Sequence, residues 1–399
     1  MLDVPQRRAL FASKVLGPVF KVFFDGLNDR LEAVRASRPD TIVLYQARAG
    51  VRLLELNQAY RQGVGTLPPL PEAIVYISRL SAIKGCLYEK PGLAAQMLVS
   101  EYAHLTIGDL LIGLGLDASD TRYDNIRNSI VQYDSFMELY MDREKGRELR
   151  ELFCAQSGYF REYLQSLVGE NGKVVLVDSG WYGSTQQLLM EQFPELEWEG
   201  LYYGKWRYRR QRPNHFDSMR GLCVDDDQHG VRSLRQLTLV YYHLIEGILE
   251  PDIPSVTGYR LDQNEVVVPV FDASYQPSSG VDDGMYEGVL RHLKEKQPAR
   301  QVGLASRLSK SLCFWKLAVY ILLPSRDDVD AMTFPPRSSD MGKSGSASVI
   351  YPPATHPAMS AMQRINASLW KPGQISLEFP RILSLPLQLA FCIKRFVGA

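Results

Sequence analysis

Residues 173–190 read KVVLVDSGWYGSTQQLLM. Four apolar β-formers, Val174, Val175, Leu176 and Val177, lead into Asp178. Ser179, Gly180, Trp181, Tyr182 and Gly183 read as a glycine-containing turn, after which Ser184 and Thr185 open a helical pattern. A buried strand with an acid at its C-terminal end, a glycine turn and a capped helix is the layout of a ligand site in an open α/β sheet. Gly180 and Gly183 allow the backbone to approach a ligand closely. Free N–H groups at the helix start, beside the Ser184 and Thr185 hydroxyls, suit a phosphate or another anion. An ordinary strand–turn–helix joint with a good N-cap fits the same letters, and the pattern alone does not separate the two.

Two units of similar build precede it. TIVLYQA at 41–47 reads as a strand, Arg48-Ala49-Gly50 as its turn and residues 51–62 as a helix. A Gly/Pro-rich loop at 63–71 then leads to a third strand, 74–78, that ends in Ser78-Arg79. Arg48 and Arg79 at two strand ends, with Asp178 at another, predict a charged mouth on one edge of the sheet. Guanidinium groups match phosphate or carboxylate through their planar fork of donors. Arg48 also reads as a surface or salt-bridged arginine. Downstream, WEGLYY at 198–203 predicts a further strand, and LVYYHLIEGI at 239–248 is an apolar segment carrying Glu246. Residues 256–261 and 265–270 read as a closing hairpin.

The predicted fold class is α/β, a mostly parallel Rossmann-like sheet with flanking helices. Residues 1–87 supply its first half and 171–275 its second. Residues 88–170 are almost strand-free and amphipathic, a helical insert or cap. Residues 276–399 form a helical and irregular C-terminal region. Within these, Leu16 to Val34 recur at helical spacing with a Gly17-Pro18 joint. Residues 284–323 look helical, and 325–360, rich in Pro, Ser and Gly, read as loop. The tail at 381–397 is apolar with Lys394 and Arg395 and is interrupted by Pro386. Packing onto the body is its default reading, with peripheral membrane or partner contact as the alternative.

The totals narrow the function. Lys+Arg and Asp+Glu each number 45, so the formal charge is zero and nothing draws the whole chain to nucleic acid. The five cysteines are scattered and form no CxxC pair, against a disulfide framework or a zinc ribbon. No convincing signal peptide or membrane-spanning run is read, and a cytoplasmic location is expected. Three other stretches carry weaker chemistry. Asp25 and Asp29 stand four apart, whereas the haloacid-dehalogenase (HAD) motif needs two aspartates two apart after a strand. Asp225-Asp226-Asp227 with His229 reads as a turn rather than a metal site, since three adjacent acids cannot all aim at one ion. GKWRYRRQR at 204–212 is a basic, aromatic-interleaved loop, read as solvated or as lying near an anionic small molecule.

With these residues in view, the chain resembles HAD-superfamily hydrolase-like proteins of bacterial surface-polysaccharide gene clusters. The landmarks are Gly17-Pro18, Arg48-Ala49-Gly50 where the family carries Arg-Asp-Gly, and Ser78-Arg79 after Tyr76. Val177 to Gln186 then match Val-Asp-x-Gly-Trp-x-Gly-Ser-x-Gln. Gly200-Leu201-Tyr202, Glu246 before Pro251 and Ser255, Gly258-Tyr259, and Trp370 near Gly373 complete the order. The likeness runs from about Leu16 to Gly373. Ala49 stands at the family's aspartate, and the paired-aspartate HAD domain is not read in these residues. A more distant likeness is to type I phosphoribosyltransferases, whose phosphate loop Asp178, Gly183, Ser184 and Thr185 imitate. Ser179 replaces that loop's second acid.

The resemblance implies a protein of surface-glycan assembly that binds a phosphorylated sugar or nucleotide sugar. On this reading Gly50, Gly180, Gly183, Ser184 and Thr185 hold phosphate, and Arg48 and Arg79 neutralise it. Trp181 packs on a sugar face. Asp178 and Glu246 are the candidate acid and base, for phosphoryl or glycosyl transfer or phosphate-ester hydrolysis. Asp178 is also the one candidate metal ligand, with Mg2+ as the ion. The competing readings are a degenerate binding module, which Ala49 favours, and a scaffold of a glycan-synthesis complex.

Overall fold

The computed structural model describes residues 3–170, 172–207, 212–230, 233–275, 284–296, 304–334, 337–338 and 346–397. Helix α1 (Val4–Phe11) passes through a π-helical turn, Ala12–Leu16, into α2 (Gly17–Ser37). Strand β1 (Thr41–Gln46), helix α3 (Ala49–Val64) and strand β2 (Glu72–Val75) follow. Helices α4 (Arg79–Cys86), α5 (Pro91–Tyr102), α6 (Ile107–Leu114), α7 (Tyr133–Met141) and α8 (Arg147–Val168) come before β3 (Lys173–Trp181). Then come α9 (Ser184–Gln192), β4 (Glu197–Lys205), β5 (Met219–Asp225), α10 (Leu234–Leu237) and α11 (His243–Leu249). A hairpin, β6 (Val256–Leu261) and β7 (Val267–Phe271), precedes α12 (Gly284–Lys294), α13 (Leu304–Leu322) and α14 (Arg326–Met332). Helices α15 (Ala361–Ala367), α16 (Lys371–Glu378) and α17 (Arg381–Val397) end the chain.

The main sheet has five strands in the order β2-β1-β3-β4-β5, all paired in parallel. Parallel strands need helices on both faces, so their sequences are apolar at successive positions rather than alternating. β1 is accordingly buried at all six residues. Val43, Tyr45, Val175, Val177, Leu201 and Tyr203 join a core with α1–α3 and α11–α14. Ile42, Leu44, Val174 and Leu176 point the other way, into a core with α4–α9. The expected α/β class and parallel sheet are therefore present. The helices between 88 and 170 form a layer on one sheet face.

Several boundaries differ from the sequence reading. β3 does not stop at Asp178. Gly180 and Trp181 continue the ladder opposite Gly204 and Lys205, so the turn shrinks to Tyr182 and Gly183. β5, MRGLCVD, carries no strong alternation, and the sequence reading assigns no strand there. Pro386 does not break the tail. It lies in the second turn of α17 and is exposed, so the carbonyl it leaves unbonded can be hydrated. The 325–360 stretch contains α14, capped by Ser325, while 335–336 and 339–345 lie outside the described residues.

The weaker candidates resolve as structural parts. Asp25 is buried and held by Lys21 and by Tyr60, whose hydroxyl donates at 2.6 Å. The acidic run is a turn braced by the basic loop. Lys205 pairs with Asp227 at 2.6 Å, Arg207 with Asp226 and Arg212 with Asp217 and Asp227. Residues 208–211 of that loop lie outside the described set. Near the sheet edge, Arg61 grips Glu72 with two donors at 2.7 and 2.6 Å, and Tyr45 and Asn57 extend the chain of bonds.

Candidate functional site

The strand order reverses between β1 and β3. In such sheets a crevice opens outside the C-terminal ends of those two strands. A cleft of about 270 Å3 lies there, walled by the ends of β1 and β3, the first residues of α4 and α9, and α11 with the segment after it. Arg48, Arg79, Asp178, Gly180, Trp181, Gly183, Ser184, Thr185 and Glu246, all singled out from sequence, line it. The 170 residues or so of chain that separate Arg79 from Glu246 are therefore brought back to one place by the topology.

Asp178 sits deep in the cleft, with protein around it but its side chain still meeting the opening. Its Oδ1 accepts the Ser179 N–H at 2.7 Å. No described residue hydrogen-bonds its Oδ2. Burial pushes its pKa up to about 7, and the charges of Glu246 and Glu250 add to the rise while the Ser179 N–H opposes it. A carboxyl held there exchanges its proton near neutral pH, as a general acid or base requires.

Glu246 projects from α11 toward β3. Its Oε1 accepts from the Trp181 indole at 3.0 Å, and its Oε2 lies 3.3 Å from His243 Nδ1. Glu250, one turn further along, lies 3.3 Å from Arg48. Glu250, which the sequence reading passed over, thus holds one of the two expected anion-binding arginines. The signal for it is spacing: acids four apart share one helix face. Arg79 is more open, its side chain 45% exposed, and it pairs with Glu101.

Three helices begin at this cleft. α4 is closed by a capping box on Ser78, whose hydroxyl also donates to the Val256 carbonyl at 2.6 Å. α3 begins after Arg48 and α9 after Gly183, and neither has a side-chain cap. Their first N–H groups are the unsatisfied donors of a helix start. Gln46 at the end of β1 donates to Thr185 Oγ1 at 3.2 Å, which ties the start of α9 to the neighbouring strand. The Ser184 hydroxyl has no hydrogen-bond partner among the described residues.

Three expected roles change. Gly50 is not on the lining. A Cβ there would stand 2.4 Å from the Tyr45 carbonyl carbon, so this glycine seats α3 against β1. Gly180 has φ +113°, and a Cβ on it would meet the Gly204 carbonyl oxygen at 2.0 Å, so it serves the strand pairing as well as the wall. Trp181 is buried, 6% exposed, edge-on to Tyr203 and Tyr242 and lying against Gly204. It cannot offer its ring face to a sugar. The half-buried aromatic rings on the lining are Tyr76, Tyr182 and Tyr242. Among the described residues no group of three or more His, Cys, Asp or Glu side chains is gathered to hold a metal ion. A divalent ion at Asp178 would therefore need oxygens from a ligand, as Mg2+ commonly takes from phosphates.

Trp370 and Gly373, the last landmarks of the resemblance, lie in the core. The Trp370 ring stacks on Tyr241 at 4.2 Å and its indole donates to the Ile321 carbonyl at 2.9 Å. Among the described residues no helix is long and apolar enough to cross a membrane. No known family model matches the chain, and no curated protein matches its sequence.

Proposed function

We propose that the chain binds a phosphorylated sugar or nucleotide sugar in this cleft and uses Asp178 as an acid–base group for transfer or hydrolysis at the phosphate end. The observation that carries this reading is the placement of Asp178, with a pKa of about 7, beside the uncapped starts of α3 and α9. Helix starts favour anions through their free N–H groups and dipole. Ser184, Thr185 and Arg79 stand ready to add donors. Glu246 is the second carboxylate, oriented by Trp181 and His243 rather than free to swing. Tyr76 and Tyr242 supply apolar surface for the sugar or base. The resemblance of residues 177–186 extends the proposal to surface-glycan assembly.

A binding or regulatory module without turnover is the second reading. It is favoured by Ala49, which leaves the start of α3 with no side chain for chemistry, and by the pairing of Arg48 with Glu250.

The test is a thermal-shift screen with inorganic phosphate, sugar phosphates, nucleotide sugars and the matching unphosphorylated sugars, with and without Mg2+. Ligands that bind only the folded state raise the melting temperature. The expected result is a shift for one phosphorylated class that Arg79→Ala weakens, with no shift for its unphosphorylated partner. Product formation from that ligand, lost in Asp178→Asn, selects the enzyme over the binder. A shift indifferent to phosphate, or none at all, overturns the proposal.

A further inference from the structure

Helix α17 is built inside out. Its polar side chains Ser384 and Gln388 are buried. Gln388 Nε2 bonds the Pro324 and Pro372 carbonyls at 3.1 and 3.0 Å and Ser376 Oγ at 2.9 Å. The opposite face carries Ile382, Leu383, Leu389 and Ile393, which are 81, 54, 44 and 62% exposed. A helix that docks its polar face and turns its apolar face outward reverses the usual surface pattern.

Its neighbour does the same. α13 packs against α17 through Ala318 and Leu322, near Cys392. Its outer side presents Leu304, Leu308, Leu312, Trp315 and Val319, between 37 and 72% exposed. Those positions are spaced by four, four, three and four, one continuous stripe along the helix. Scattered exposed apolar residues need no explanation, but two adjoining stripes of this size mark an interaction surface.

Charge selects the partner. The chain as a whole is neutral, yet neither α13 nor α17 contains an Asp or Glu. Arg307, Lys316, Arg381 and Lys394 accompany the stripes, while Lys310 is half-buried on the opposite side of α13, near Cys223. Lys316 and Arg381 bond only carbonyl or amide oxygens, and none of the four pairs with a carboxylate among the described residues. A second copy docking face to face would set these cations against their own kind. Apolar stripes with only basic charges and a tryptophan on the outer face match an anionic bilayer surface. Since neither helix is apolar enough to cross a bilayer, both would lie in its interface.

We infer that α13 and α17 together form a platform that seats the protein on anionic membrane lipid. The test uses the full chain in vesicle co-sedimentation, comparing phosphatidylcholine alone with phosphatidylcholine plus phosphatidylglycerol. Binding is expected only with the anionic vesicles, falling as salt is raised. Leu308→Glu with Ile393→Glu should lose at least about tenfold in partition. Arg307→Glu with Lys394→Glu leaves the apolar stripes intact, should keep the melting temperature, and should lose about fivefold or more per cation removed. A blue shift of tryptophan emission on binding should shrink in Trp315→Phe. Three results overturn the inference: no partition into anionic vesicles, partition unchanged in the charge variant, or a concentration-dependent dimer in sedimentation velocity that Leu308→Glu dissolves.

Discussion

The Trp181 indole nitrogen donates to Glu246 at 3.0 Å, joining the last residue of β3 to the first turn of α11 across the back of the cleft. The bond fixes one carboxylate oxygen and leaves the other toward His243. Trp181→Phe keeps most of the ring packing and deletes the donor. We expect it to cost about 1–2 kcal/mol, because a hydrogen bond to a charged acceptor is lost at a partly exposed site. Glu246→Gln keeps an acceptor and should cost less. Urea unfolding of both variants checks the order; a larger loss for Glu246→Gln would mean that its charge, not this bond, organises the cleft.

Asp178 links stability to pH. The folded protein holds this proton up to about pH 7, whereas the unfolded chain releases it near the ordinary carboxylate value of about 3.9. Between those values the folded state binds more protons, so stability falls as pH rises through the window and levels off above it. Asp178→Asn cannot ionise. It should gain on the wild type as pH rises, by at most about 4 kcal/mol and by less where the cleft admits water. Denaturation midpoints at about pH 5 and about pH 8 measure this. A wild-type-to-variant difference that stays flat would rule it out.

The two arginines should separate. Arg79 is about half exposed and pairs with Glu101 at the surface, so Arg79→Ala is expected to leave the melting temperature within experimental scatter. It should weaken a phosphorylated ligand about tenfold. Arg48 is largely buried against Glu250. Arg48→Ala removes this largely buried ion pair and should cost about 1–3 kcal/mol. Calorimetric titration beside thermal unfolding reads both effects, and equal behaviour of the two variants would refute the assignment.

Arg61 and Glu72 form a bidentate pair with side chains only 4 and 8% exposed. Removing one partner leaves a buried charge, so Arg61→Met should cost about 3–5 kcal/mol. Adding Glu72→Leu should recover much of that loss, although it frees the Tyr45 hydroxyl, which donates to Glu72 at 2.9 Å. A double variant no more stable than the single one would show that the network with Tyr45 and Asn57 outweighs the pair.

The class of fold was legible because β1 and β3 each hold an unbroken apolar run, 42–45 and 174–177, and because Gly183 and Ser184 mark where a helix must start. The cleft was legible as far as strand ends could reveal it: Arg48, Arg79 and Asp178 all follow apolar runs. What stayed hidden depends on pairing across the sheet. Nothing local in Gly180 and Trp181 says that Gly204 and Lys205 will carry the strand past Asp178. Trp181 looked like a ligand platform because burial is set by Tyr203 and Tyr242, which are remote in sequence. β5 escaped because an edge strand interrupted by Arg220 and Gly221 lacks a periodic signature. Glu250 escaped because its partner, Arg48, lies some two hundred positions earlier.

Helix α4 starts at the cleft and runs away from it, and β3 enters the sheet from that far side. The chain therefore leaves for the long excursion through α5, α6 and α7 on the side away from the crevice, and the end of α5 comes back toward the mouth, where Glu101 pairs with Arg79. None of the residues of α5, α6 and α7 lines the cleft. Such an arrangement divides the protein into a part free to lengthen, shorten or exchange helices and a part whose geometry is held constant. Variation accumulating in the excursion would alter what the outer layer touches while the chemistry at Asp178 went on unchanged.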